Sequence, residues 1–273
     1  MATRARRSCL TVPASSAKML AKAAGLPADE VVVDLEDGVA PADKDGARDR
    51  LGEAAARGTL AVRINGSGTP WWQDDLAAVA RLHPDVVVLP KAESADDVRA
   101  IIRVLPDGVG LEVQIETARG LAEVERIAAI GAPLEALVFG PGDFAASMGI
   151  PVLTIGSGTF EYALARIAVA ARANGLQPVD GPFANLDDLG GLRRSSAVAL
   201  AHGYDGKWVV HPDQIEPVNA AFTPTEVEVE HARRILTAED GASLVDGAMV
   251  DVATKRMAAS VLARAGERVS RGG

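Results

Sequence analysis

Short apolar, β-branched runs return about eight times along this chain, and a longer Ala-rich amphipathic segment follows most of them. That alternation is the pattern of a parallel sheet covered by helices. The runs are CLTVP ending at Pro13, VVVDLE at Glu36, LAVRIN at Asn65, VVVLPK at Lys91, GLEVQIE at Glu116, ALVFGP at Pro141, LQPVDGP at Pro182 and GKWVVHP at Pro212. Helical candidates between them include SAKMLAKAAG, KDGARDRLGEAAARG, SADDVRAIIRVL and TFEYALARIAVAARANG. Eight β/α units in about 250 residues is the count and length of a TIM barrel. The expected organisation is a (β/α)8 barrel over residues 1–222 and a C-terminal helical extension over 223–273.

In such a barrel the active site lies at the C-terminal ends of the strands, so residues just past each apolar run converge on one mouth. Here those positions carry Asp34, Glu36 and Asp37, then Arg63, Asn65, Lys91, Glu116, Asp143, Asp180 and His211. Any one of them alone reads equally well as a loop charge in solvent. Taken together they form a carboxylate-rich mouth that repels itself unless a cation sits there. Oxygen donors without Cys or His spacing point to a hard ion such as Mg²⁺.

Composition removes several classes. A net charge of −9 argues against an extended nucleic-acid footprint. No apolar run reaches the roughly 20 residues that span a bilayer, and the single Cys9 allows no internal disulfide, so a cytoplasmic home is expected. His83, His202, His211 and His231 are scattered, which disfavours zinc, and no GxSxG elbow marks a serine hydrolase. Cys9 reads as core.

Phosphate binding has its own signal. Arg4, Arg6 and Arg7 flank the first strand, and Lys18 and Lys22 lie four apart, on one face of the next helix. A polyphosphate would suit that face; a solvated terminus and a lysine-studded helix are the alternative. Trp71 and Trp72 could cover a cofactor ring, although packing is the commoner use.

The stretches RRSCLTVPASSAKMLAKA, VVVDLEDGVAPADKDGAR, VRINGSGTPWWQDDL, VVLPKAES, GLEVQIETARG, LEALVFGPGDFAAS, VDGPFANLDD and GKWVVHPDQIEPVNAAF together resemble the HpcH/HpaI aldolase and citrate lyase β-subunit superfamily, in order and over almost the whole chain. GLEVQIETA, the FGxxDFAAS pattern and DGPF are most similar to the malyl-CoA and β-methylmalyl-CoA lyases within it. The resemblance implies Mg²⁺, or Mn²⁺ in its place, on Glu116 and Asp143, with Glu36 and Asp37 holding metal-bound water and Asp34 more structural. It implies substrate contact by Arg63 and coenzyme A phosphates near Arg7 and Lys18 or Lys22. It also implies that the tail DGAMVDVATKRMAASVLARAG is a lid supplied to a neighbouring subunit of a homotrimer or hexamer, with Asp251 as proton carrier. From the residues alone, Asp251 is better explained as a helix N-cap, and the two roles can coexist.

The implied reaction is Mg²⁺-dependent cleavage of a 3-hydroxy-dicarboxylyl-CoA thioester into an acyl-CoA and a 2-oxo acid, or the reverse condensation. Three other readings stand beside it. Lys91 could form a Schiff base in a metal-independent aldolase. The chain could be a citrate lyase β-like subunit that turns over only with partners, or thioester hydrolysis could follow condensation.

Overall fold

The computed structural model describes residues 4–151, 158–238 and 243–267. The eight apolar runs become β1 (Ser8–Pro13), β2 (Glu30–Asp34), β3 (Thr59–Arg63), β4 (Val86–Leu89), β5 (Gly110–Ile115), β6 (Leu134–Phe139), β7 (Gln177–Asp180) and β8 (Gly206–Val209). They pair in sequence order, all parallel, and close when Cys9 of β1 registers with Trp208 of β8. The expected eight-stranded α/β barrel is the fold.

Strand periodicity decides what fills it. Cys9, Val32, Ala61, Val86, Val88, Ala136, Val138, Val179 and Trp208 pack together as one buried cluster in the barrel interior. Cys9 is thus a core residue, as its sequence context suggested. Alternate positions face the helix layer, where Leu10, Val31, Val33, Val62 and Val87 are equally buried. Helix starts are fixed by side-chain caps: Ser16, Ser94 and Thr117 each accept an N–H from the first turn of the helix they precede.

The N-terminal end of the barrel is closed by charge. Arg6, 2 % exposed, donates to Glu112, to Gln177 and to Glu135 at 2.6 Å, and lies 3.3 Å from Glu30. One guanidinium therefore faces three carboxylates in a region almost without water. Burial and the neighbouring Glu112 push the Glu30 carboxyl well above its usual range, against the pull of Arg6.

The chain divides into two compact units, Met1–Asn219 and Ala220–Gly273. In the second, a helix Glu226–Thr237 opens on a Thr225/Glu228 capping box. An antiparallel hairpin of β9 (Ser243–Val245) and β10 (Ala248–Val250) leads to a helix Val252–Arg264. Ala232, Ala258 and Leu262 form its small core. No helix among the described residues is long and apolar enough to cross a membrane.

Candidate active site

β2 ends in Asp34, and that carboxylate folds the chain that follows it. Its Oδ1 accepts the Glu36 N–H and its Oδ2 the Gly38 N–H, both at 2.8 Å. The same two oxygens receive Nε and Nη2 of Arg63, the last residue of β3, at 2.8 and 2.7 Å. Arg63 Nη1 lies 3.1 Å from Glu36 Oε2 and 3.4 Å from Gln114 Oε1. Beneath it the Trp208 ring sits 5.5 Å from the guanidinium, in cation–π range. Three of the five guanidinium hydrogens are therefore committed to hydrogen bonds with Asp34 and Gln114, Glu36 adds an ion pair on the Nη1 side, and one hydrogen on Nη2 is left for another partner.

Lys44 braces this loop from behind. Its buried ammonium donates to the Leu35 and Glu36 carbonyls, both at 2.7 Å, and to Asn65 Oδ1 at 2.8 Å. It also lies 4.8 Å above Trp71, so that ring is occupied by a lysine, while Trp72 is buried packing. Asn65 is tied in turn to Asp75. Neither Lys44 nor Gln114 stood out in the sequence, because one helical lysine and one strand glutamine carry no spacing signal.

Across the mouth, Glu116 follows β5 and is 2 % exposed. Burial pushes its carboxyl up to about 7; Arg63 opposes the shift, and Glu36 and Asp143 add to it. Its Oε1 accepts the Lys91 N–H at 2.8 Å. Gly140 makes room for it, since a Cβ there would stand 2.3 Å from Glu116 Oε2 and 2.4 Å from Glu116 Cβ. Pro141 then starts a helix, Pro141–Ser147, with Asp143 in its first turn, where the helix dipole favours a carboxylate. Lys91 faces the cluster with its ammonium, which contacts Glu36, lies 2.8 Å from Asp37 and 3.9 Å from Asp143.

The mouth therefore gathers Arg63, Glu36, Asp37, Lys91, Glu116 and Asp143. The side chains there that could ligate an ion are carboxylates, and the Glu116 carboxyl is buried beside two others, Glu36 and Asp143, which raise it further. Among the described residues, no three His, Cys, Asp or Glu come close enough to hold a metal by themselves. The site fits a hard ion that takes two carboxylates and fills its other positions with water and substrate, as Mg²⁺ does. Burial works to lower the Lys91 pKa, but the bonds to Asp37 and Glu36 outweigh it and hold the ammonium above its ordinary range. A charged amine is no nucleophile, which counts against the Schiff-base reading.

Other predicted positions lie elsewhere. Arg7 precedes β1, at the opposite end of a six-residue strand, about 20 Å from the mouth at 3.3 Å per residue. Its guanidinium grips Asp29 at 2.8 Å through Nε and Nη2, so the expected coenzyme contact is corrected to a brace at the barrel base. Lys18 and Lys22 are exposed on the helix Ala17–Ala23, which leaves the C-terminal end of β1. Asp180 turns outward: Val179 takes the interior position, and Asp180 pairs with the buried Lys207, which also donates to Ser195 at 2.9 Å. That pair borders a cleft of about 860 Å³ between β7 and the flanking helices. His211 accepts the Asp213 N–H and caps a short turn. In the C-terminal unit, Asp251 caps the helix Val252–Arg264, accepting Thr254 N–H at 2.8 Å, and that backbone N–H draws its carboxyl below the usual range.

Comparison with known proteins gives concordant matches. The profile of the HpcH/HpaI aldolase/citrate lyase family matches residues 7–212. An L-malyl-CoA/β-methylmalyl-CoA lyase of Cereibacter sphaeroides is 36% identical, covering 98% of this chain and 96% of its own. A (3S)-malyl-CoA thioesterase of the same species is 37% identical over 90% of this chain and 89% of its own. The crystal structure of CitE from Mycobacterium tuberculosis in complex with magnesium, acetoacetate and coenzyme A superimposes with a TM-score of 0.84 at 36% identity, covering 95% of this chain and 98% of that one.

Proposed function

This chain belongs to the HpcH/HpaI aldolase/citrate lyase family and is a carbon–carbon lyase, and we propose that it cleaves a 3-hydroxy-dicarboxylyl-CoA such as malyl-CoA, citramalyl-CoA or citryl-CoA, or forms it by condensation. The observation that carries the reading is the mouth itself: two carboxylates, Glu116 and Asp143, opposite an arginine whose Nη2 keeps an N–H free of described hydrogen bonds. The likeness to a CitE bound to magnesium and coenzyme A supports the same cofactors here.

Glu116 and Asp143 would hold magnesium. The ion, when bound there, would supply Lewis-acid polarisation of the substrate's hydroxyl and carboxylate oxygens. Arg63 serves the other fragment, its remaining N–H meeting the thioester oxygen as charge gathers there in the enolate. Because Asp34, Glu36 and Gln114 lock the guanidinium, that donor is oriented before substrate arrives. Asp251, contributed by the C-terminal unit of a neighbouring subunit in a homotrimer or hexamer, takes the α-proton of the acyl-CoA in condensation and returns it in cleavage. Lys18 and Lys22 meet the coenzyme's phosphates, and the buried thiol of Cys9 suits a reducing cytoplasm.

A second reading is hydrolysis of the thioester, favoured by the likeness to a malyl-CoA thioesterase. Incubation with malyl-CoA, β-methylmalyl-CoA, citramalyl-CoA and citryl-CoA, followed by mass spectrometry, separates the two. An acyl-CoA with a 2-oxo acid supports the lyase; free coenzyme A with the intact hydroxy acid supports hydrolysis. Turnover that appears only on adding an acyl carrier partner would refute both as activities of the isolated chain.

A further inference from the structure

Lys91 touches all four carboxylates of the mouth. Its backbone N–H donates to Glu116, while its ammonium contacts Glu36, lies 2.8 Å from Asp37 and reaches Asp143 at 3.9 Å. The residue holds φ at 51°, in the left-handed region where side chains with a Cβ are uncommon. Such conformations persist where surrounding contacts over-determine them. Here the backbone is committed to one side of the mouth and the ammonium to the other.

A mouth with four carboxylates poses a chemical difficulty. Mg²⁺ takes six oxygens in near-ideal octahedral geometry, and binding tightens as carboxylate ligands are added. Were Glu36 and Asp37 to join Glu116 and Asp143, few positions would remain for a substrate that must present both hydroxyl and carboxylate. An ammonium cannot be a ligand, and it competes with the ion for carboxylate oxygens. The Asp37 side chain is more than half exposed, and among the described residues its ion pair is with Lys91.

We propose that Lys91 is a positioning residue that withholds Glu36 and Asp37 from the metal and so keeps coordination positions open for substrate oxygens. The inference rests on the magnesium reading of the same site. Arg63 shares Glu36 from the far side at 3.1 Å, but it does not reach Asp37 among the described contacts. Lys91 is thus the cation that controls the pair.

The test is calorimetric titration of the metal-free, full-length protein with Mg²⁺, for wild type, Lys91→Met, Lys91→Gln and Lys91→Arg, beside steady-state kinetics. Removing the ammonium frees two anionic ligands, so both neutral variants are expected to bind Mg²⁺ about tenfold more tightly or better. The same variants are expected to lose kcat and to raise KM for the 2-oxo acid while binding Mg²⁺ more tightly, a combination that simple structural damage does not produce. Lys91→Arg retains the charge and stays within about threefold of wild type in Mg²⁺ affinity. Wild-type binding with both neutral variants unchanged or weaker overturns the role of Lys91 alone. Absence of Mg²⁺ binding by folded wild type overturns the metal reading and this inference with it.

Discussion

Replacing Glu30 by Gln at the barrel base is expected to stabilise the protein, and increasingly so as pH rises. Glu30 is fully buried, and neither of its oxygens nor Glu112 Oε2 has a hydrogen-bond partner among the described residues as carboxylates. A proton on Glu30 reconciles both, because the acid can then donate to Glu112 while Arg6 serves the remaining charge. Burial first and Glu112 second raise the folded pKa far above 4.5, the ordinary glutamate value. The folded chain therefore keeps a proton that the unfolded chain releases as pH climbs past about 4.5. Stability from this group is complete below that pH and declines above it, by up to about 1.4 kcal/mol per pH unit, until the folded pKa is reached. Gln has the same shape, can donate to Glu112 and titrates in neither state. Above about pH 5 the variant's advantage over wild type should therefore widen with pH, and its Tm should fall less steeply than that of wild type. Thermal and urea unfolding from pH 4.5 to 8 measures this. Parallel pH profiles, or a variant less stable than wild type at pH 8, would refute the protonated Glu30 and leave an ionised one paired with Arg6.

Gly140→Ala drives a methyl group against Glu116, and a loss of at least about tenfold in Mg²⁺ affinity is expected by calorimetry, with the barrel still folded by circular dichroism. Lys207→Met strands the buried Asp180 without its cation, and urea unfolding should show a loss of about 3 to 5 kcal/mol while Mg²⁺ affinity at the mouth is unaltered. Asp251→Asn keeps the helix cap, since Asn caps as well as Asp, so Tm should stay within about 1 °C while kcat falls by 10² or more, on the order expected for loss of an acid–base group. Equal losses of stability and activity would return Asp251 to a purely capping role.

The barrel was legible because its signal is local: VVVD, LAVR and VVVL each carry their strand in β-branched residues, and Pro or a charged residue closes each run. Glu116, Asp143 and Arg63 were legible as strand-end residues in a fold whose chemistry sits there. Arg7 was placed by resemblance, although its position just before β1 already puts it at the N-terminal end of the strand, away from the mouth. Asp180 was misread for a different reason: at a spacing of two residues, Val179 inside means Asp180 outside, and parity at β7 decides its partner. Arg6 gave no hint of sealing the barrel base, because its partners Glu30, Glu112 and Glu135 lie 24, 106 and 129 residues away. Lys91 was legible as a strand-end lysine and a Schiff-base candidate, but its left-handed backbone was not, since that conformation at lysine has no residue-type signature.

The most direct test of the central claim is release of acyl-CoA from malyl-CoA, citramalyl-CoA and citryl-CoA, with Mg²⁺ and with EDTA, by wild type and Asp143→Ala. A lyase that works through Glu116 and Asp143 releases acyl-CoA from at least one of them with Mg²⁺ and loses that activity in EDTA and in the variant. Release that survives both treatments would contradict a metal held by these two carboxylates.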